Sequence, residues 1–296
     1  MKKKFIDPYL KLKSKKSNEV FQFFPDTNIP LPSEFEISES GTCNRKCSFC
    51  PRSAIEYKDV KEFIKTDLIK KFSLELKDYK FNGTIRFSGF VEPLLDKNIY
   101  NIINICKKNI PASNIELVTN GDVLSVSRIK KLFISGLDKL LISVYDGPED
   151  EEKLKEMCND AQINKDQIFI RPRYLPPDED FGITLSNRAG MMKNAEFKIS
   201  NLENKLDKPC YYPSYTFFLD YNGDVLMCPH DWGKKNILGN LLNNSVKEIW
   251  LSKLAKETRN RLINSDRGFS PCDVCDVNGT LIGKKHANAW LKSKKI

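Results

Sequence analysis

Seven of the nine cysteines stand in two sets whose spacing suits metal chemistry. Cys43, Cys47 and Cys50 are separated by three and then two residues. A structural zinc site wants four ligands, commonly as two pairs. Three thiolates so spaced suit a cubane iron–sulfur cluster better, with its fourth iron left free to bind something else. A zinc knuckle that borrows a ligand from elsewhere is the plainer alternative. The second set is Cys210, Cys228, Cys272 and Cys275, with 17, 43 and two residues between them. Four thiolates hold either zinc or a cluster, and spacing does not choose. Cys106 and Cys158 lie in helical-looking stretches and read as small buried hydrophobes.

The rest of the composition narrows the setting. The chain of 296 residues is 40% hydrophobic and 29% charged, a globular balance, and no apolar run reaches the roughly 18 residues of a membrane span. Its net charge of +9 is concentrated at the ends. Residues 1–20 and 284–296 each carry a net +5, so the body between them is near neutral. Basic ends on a neutral body are expected to be solvated tails, which speaks against nucleic acid and membrane partners. The start has charge but no apolar stretch like that of a signal peptide, so a cytoplasmic protein is expected. A reducing cytosol does not maintain disulfides, which again assigns the cysteines to metal.

The elements that must position these residues follow an alternating pattern. β-rich runs at Phe35–Ser38, Thr84–Phe87, Ile115–Thr119, Lys139–Val144, Ile168–Arg173 and Gly182–Leu185 alternate with amphipathic stretches at about 60–78, 97–108, 125–134, 149–160 and 189–194. This predicts an α/β fold with a partial (β/α)6 barrel, whose active site lies at the C-terminal ends of the strands. After Asn201 the pattern changes. Tyr215–Leu219 and Asp224–Cys228 flank a turn at Gly223 and read as a hairpin, followed by a helix at Ser245–Leu262. The expected layout is a basic extension at 1–33, a barrel at 34–200, a small α+β module at 201–283 and a basic tail at 284–296.

The first cysteine set, with Phe49 ahead of its last member, resembles the radical S-adenosylmethionine (SAM) superfamily. Later segments carry the resemblance strand by strand. Ser88-Gly89-Phe90-Val91-Glu92-Pro93 is similar to the family's glycine-rich segment, although Phe90 and Val91 stand where glycines are common. Thr119-Asn120-Gly121 and Ser143 follow on the next two strands, and Arg173 on the fifth. The resemblance implies that Cys43, Cys47 and Cys50 hold a [4Fe–4S] cluster. It further implies that Phe49, Gly89, Glu92, Asn120, Ser143 and Arg173 bind SAM, with Glu92 on its ammonium group and Arg173 at its carboxylate. The segment around the second set, Gly223 to Cys228, Leu238-Gly239-Asn240 and Val246 to Trp250, resembles the SPASM/twitch extension of the same enzymes. Four cysteines match the shorter twitch form with one auxiliary [4Fe–4S] cluster on Cys210, Cys228, Cys272 and Cys275.

The layout is similar to superfamily members that oxidise a secondary alcohol to a ketone. It implies a radical SAM oxidoreductase that takes a hydrogen atom from a sugar, cyclitol or sugar nucleotide, with an external reductant such as flavodoxin or ferredoxin. A peptide- or protein-modifying maturase is the alternative, weakened because only about 33 residues precede the first strand. A zinc-bound binding module would give zinc rather than about eight irons per chain. Arg188 and His230 are the candidates for handling the alcohol oxygen and its proton, while Tyr145 reads as packing.

Overall fold

The computed structural model describes residues 21–54, 57–175, 185–195 and 197–293, together with Tyr9, Leu12, Lys13 and Lys15. Ten strands order the chain: β1 (Glu34–Ser38), β2 (Ser40–Gly41), β3 (Val60–Phe63), β4 (Thr84–Phe87), β5 (Asn114–Thr119), β6 (Lys139–Val144), β7 (Ile168–Pro172), β8 (Thr216–Asp220), β9 (Asp224–Leu226) and β10 (Ile237–Asn240). Eight of them form one sheet in the order β10-β9-β8-β1-β4-β5-β6-β7, while β2 and β3 form a separate pair. Pairings from β8 through β7 are parallel, whereas β8–β9 and β9–β10 are antiparallel. Parallel neighbours need crossover connections. These are supplied by α1 (Thr66–Asp78), α2 (Ile99–Asn109), α3 (Val126–Ile134) and α4 (Pro148–Asp160).

Strand alternation separates the two faces of the sheet. Phe35 and Ile37 point to the helix side, where Phe35 meets Phe72 of α1 at 5.2 Å. Leu68, Ile69, Phe72 and Leu76 put the buried stripe of α1 against that face. The other face is charged. Arg86 donates to Glu34 (2.5 Å) and Glu116 (2.7 Å), and Ser88 donates to Glu36 (2.7 Å). The expected solvated N-terminal tail takes part in this interior. Tyr9 is buried and donates to Glu116, while Lys13 donates to Glu34 at 2.8 Å. Buried charges survive only when paired, and Tyr9 and Lys13 complete the pairing.

Four further expectations change. The stretch at 60–78 begins as β3, pairing with β2, and becomes helical only at Thr66. The expected helix at 189–194 is a series of turns, because Arg188, Ala189 and Gly190 take φ of +46°, +52° and +86°, which no right-handed helix admits. The helix at Ser245–Leu262 divides into α6 (Val246–Trp250) and α7 (Lys253–Ile263), after the short α5 (Tyr212–Tyr215). Ser252 causes the break by capping α7, accepting from Ala255 N at 3.2 Å. The C-terminal tail is instead α8 (Lys284–Ser293), which buries His286, Ala287 and Trp290. Most of the expected strand Gly182–Leu185 lies outside the described residues. The sixth parallel strand among them is β8, the first arm of the foreseen hairpin, which joins the barrel sheet beside β1.

Candidate active site and two thiol cavities

The loop after β2 brings Cys43, Cys47 and Cys50 to one cavity, at the C-terminal ends of the parallel strands. Two arginines fix this loop. Arg45 pairs with Asp122, beyond β5, and Asp146, beyond β6, donating at 2.7 Å to each. Arg52 is buried, donates to the Phe90 carbonyl through Nε (2.9 Å), pairs with Asp59 and lies 5.0 Å over the Tyr57 ring. Burial pushes all three thiols up, Cys47 to about 11. Metal binding needs the thiolate form, and a positively charged metal centre would supply the compensation that burial withholds.

The same cavity is lined by Phe49, Gly89, Glu92, Asn120 and Ser143, so five of the six expected SAM-binding residues meet the three cysteines. Glu92 is 2% exposed and works hard locally. Its carboxylate accepts from Thr119 Oγ1 (2.6 Å), Leu94 N (3.0 Å) and Asn120 N (2.7 Å), tying the loop after β4 to the end of β5. Burial nonetheless holds its pKa above the usual carboxylate range. Gly89 has φ +103°, and a Cβ there would meet Phe218 at 2.9 Å, so only glycine fits. Phe49 leans on Tyr145 at 5.3 Å, which makes Tyr145 a wall of the cavity. The arginine that reaches Ser143 is Arg171 of β7, at 2.7 Å. Arg173 is not among the residues that line the cavity.

A second cavity holds the other four cysteines. Cys210, Cys228, Cys272 and Cys275 line it with Tyr212, Met227, Leu262, Arg267 and Val277. The walls are apolar, and burial pushes every one of these thiols up, Cys275 to about 11. Arg267 is the buried cation beside them, donating to Lys208 O (3.0 Å), Pro209 O (3.1 Å) and Val277 O (3.0 Å). At Gly279 a Cβ would collide with Cys210 Sγ, so the chain passes as close as chemistry permits. Four thiols round one apolar cavity fit either a zinc ion or a cubane, whose ligands attach to four separate irons.

Residues 187–190 form the partition between the cavities. Arg188 lines the first and Ala189 the second. His230 lines the second and stands behind Arg188, with Nδ1 3.5 Å from Arg188 Nη1. Burial, and then the neighbouring guanidinium, push His230 down to about 3. Trp232, two residues on, returns to the first cavity and packs on Phe90 at 4.3 Å.

Comparison with known proteins agrees with this geometry. Residues 37–169 match the Radical SAM superfamily, and residues 210–276 match the SPASM iron–sulfur cluster-binding domain. The chain is a radical SAM enzyme with an SPASM domain. Its cofactors are SAM and two [4Fe–4S] clusters. A relative from Niallia circulans, the S-adenosyl-L-methionine-dependent 2-deoxy-scyllo-inosamine dehydrogenase, is 28% identical over 246 residues, covering 83% of this chain and 92% of the relative. The crystal structure of BtrN with AdoMet and 2-DOIA superposes with a TM-score of 0.72 at 24% identity, covering 88% of this chain and 98% of that one. A structure of anSMEcpe with bound AdoMet gives 0.53 at 16% identity, covering 90% and 92%. Among the described residues no helix is long and apolar enough to cross a membrane.

The residues missed in the sequence are Arg45, Arg52, Asn187, Trp232 and Arg267. Arg45 lies between Cys43 and Cys47, Arg52 two positions after Cys50, Asn187 beside Arg188 and Trp232 four after Cys228, so position hinted at these four but not at their partners.

Proposed function

We propose that this radical SAM enzyme oxidises a secondary alcohol of a small polyhydroxylated molecule, a cyclitol or sugar, to a ketone. The observation that carries the reading is the placement of Arg188, between a cavity fit for SAM and a cavity fit for a fully thiolate-ligated cluster. The relative named a 2-deoxy-scyllo-inosamine dehydrogenase supports the substrate class. With the cofactors bound, reductive cleavage of SAM supplies a 5′-deoxyadenosyl radical and the auxiliary cluster supplies an electron acceptor.

The chain's own residues divide the remaining work. Cys43, Cys47 and Cys50 hold the first cluster, and Cys210, Cys228, Cys272 and Cys275 the second. Glu92, Asn120, Ser143 and Phe49 take the SAM side of the first cavity. That leaves Ser88, Phe90, Trp232 and Arg188 to face the substrate. An aromatic face against ring C–H groups and a guanidinium on the alcohol oxygen suit a polyol. Bound SAM would supply the radical that takes the carbinol hydrogen atom and a cluster on Cys210, Cys228, Cys272 and Cys275 would accept the remaining electron, while Arg188, steadied by His230, would hold the alcohol oxygen and the hydroxyl proton would be released to solvent. Tyr145, Phe90 and Trp232 exclude water from the radical. We place the functional boundary between barrel and SPASM module near residue 200, the enzyme in the cytoplasm, and a flavodoxin or ferredoxin as its reductant.

The test is anaerobic turnover of the reconstituted enzyme with SAM, a one-electron reductant and a panel of aminocyclitols, sugars and sugar nucleotides. One ketone formed per 5′-deoxyadenosine is the expected result. Formation of 5′-deoxyadenosine with no oxidised product across the panel, and deuterium transfer from a peptide instead, would overturn it.

A further inference from the structure

The turn between the cavities holds two non-glycine residues, Arg188 and Ala189, in the left-handed region. Such backbone persists only where its surroundings over-determine it. Asn187 is the residue that does so. It is fully buried, and its backbone N–H donates to both carboxylate oxygens of Asp276 at 3.0 Å. Its side-chain amide donates to Val274 O at 2.6 Å and to Ser200 O at 3.1 Å. Its side-chain oxygen accepts from Asp276 N at 3.3 Å and Gly190 N at 3.4 Å. Val274 and Asp276 are the two neighbours of Cys275. Gly190 closes the same contact, since a Cβ there would strike Val274 Cγ2 at 2.9 Å.

We propose that Asn187 is a positioning residue that couples the two sites. By gripping the chain on both sides of Cys275, it sets the turn that aims Arg188 into the SAM cavity, so the auxiliary site and Arg188 are ordered together. The loop that carries Cys275 has no regular structure of its own to fix it. Ligation of Cys272 and Cys275 supplies that order, and Asn187 transmits it across one residue. The inference rests on the role assigned to Arg188 above.

Two measurements test it. In Asn187→Ala, total iron and 5′-deoxyadenosine formation are expected to hold, while product per 5′-deoxyadenosine falls about 100-fold, the effect of misplacing a reacting group by about 1 Å. A wild-type ratio in that variant overturns the proposal. Independently, amide hydrogen exchange at residues 185–190 is compared in the holoenzyme and in Cys272→Ala/Cys275→Ala. Faster exchange without the auxiliary cluster is expected, and equal exchange overturns the coupling even if Asn187→Ala fails to fold. Arg188→Ala separates the two readings. A wild-type product ratio there removes the role of Arg188, while the exchange comparison still decides whether Asn187 links the sites.

Discussion

At the scale of single residues, the site divides into groups that name themselves and groups that do not. Cys43, Cys47, Cys50, Glu92, Asn120 and Ser143 were legible because each sits in a short motif at the end of its strand. Arg45 and Arg52 were not, since their partners Asp122, Asp146 and Phe90 lie far away in sequence. Replacing Cys43, Cys47 and Cys50 with Ala is expected to leave about four irons per chain and abolish 5′-deoxyadenosine formation. Persistent SAM cleavage in that variant would remove the assignment. Glu92→Gln replaces an oxygen that accepts from Asn120 N and the charge that we propose meets the SAM ammonium. SAM affinity should fall by about 1.5–3 kcal/mol with iron content intact, as equilibrium binding can show. Trp232→Phe should keep much of the aromatic wall, whereas Trp232→Ala should raise KM for the substrate more than for SAM. Equal effects on both would place Trp232 outside the substrate face.

At the scale of elements, periodicity found the strands that carry the site but not the breaks between helices. Lys61 and Glu62 made Val60–Phe63 look like a first helical turn, yet pairing with Ser40–Gly41 wins there. The two basic ends read as solvated because lysine count hides the few apolar residues that decide packing. In α8 those are His286, Ala287 and Trp290. The Arg259 guanidinium lies over both Trp290 and Trp250, at 3.9 and 4.2 Å from their ring centres, and burial lowers Arg259 to about 9. Trp290→Ala should cost about 3–5 kcal/mol and lower the melting temperature measured by circular dichroism. His286 adds a pH dependence. Burial, and secondarily Lys285, push it down to about 3, and among the described residues neither ring nitrogen has a hydrogen-bond partner. The unfolded chain takes up a proton below about pH 6.5 that the folded chain refuses, so stability drops as pH falls from about 6.5 towards 3. His286→Phe should flatten that slope in anaerobic melts of the holoenzyme; an unchanged slope would assign it to other groups.

At the scale of the whole molecule, the proposed division of work between the two cavities predicts that oxidation is separable from radical formation. Cys272→Ala/Cys275→Ala should still form 5′-deoxyadenosine while losing ketone, once circular dichroism confirms that it is folded. A wild-type product ratio would make the auxiliary cluster structural. The sheet that unites the cavities also has an unusual order of assembly. Strand β1 lies between β4 and β8, and β8 follows β1 by about 180 residues of chain. During synthesis, one edge of β1 therefore waits, with open N–H and C=O groups, until nearly three quarters of the polypeptide has left the ribosome. The same dependence bears on dissection: a fragment ending near residue 200 carries both the cysteine loop and Glu92, but leaves Glu34–Ser38 without a neighbour on one side. Such a fragment should self-associate through that bare edge, and it will need the hairpin at 216–226 restored, in the same chain or as a second fragment, before it stays monomeric in size-exclusion chromatography.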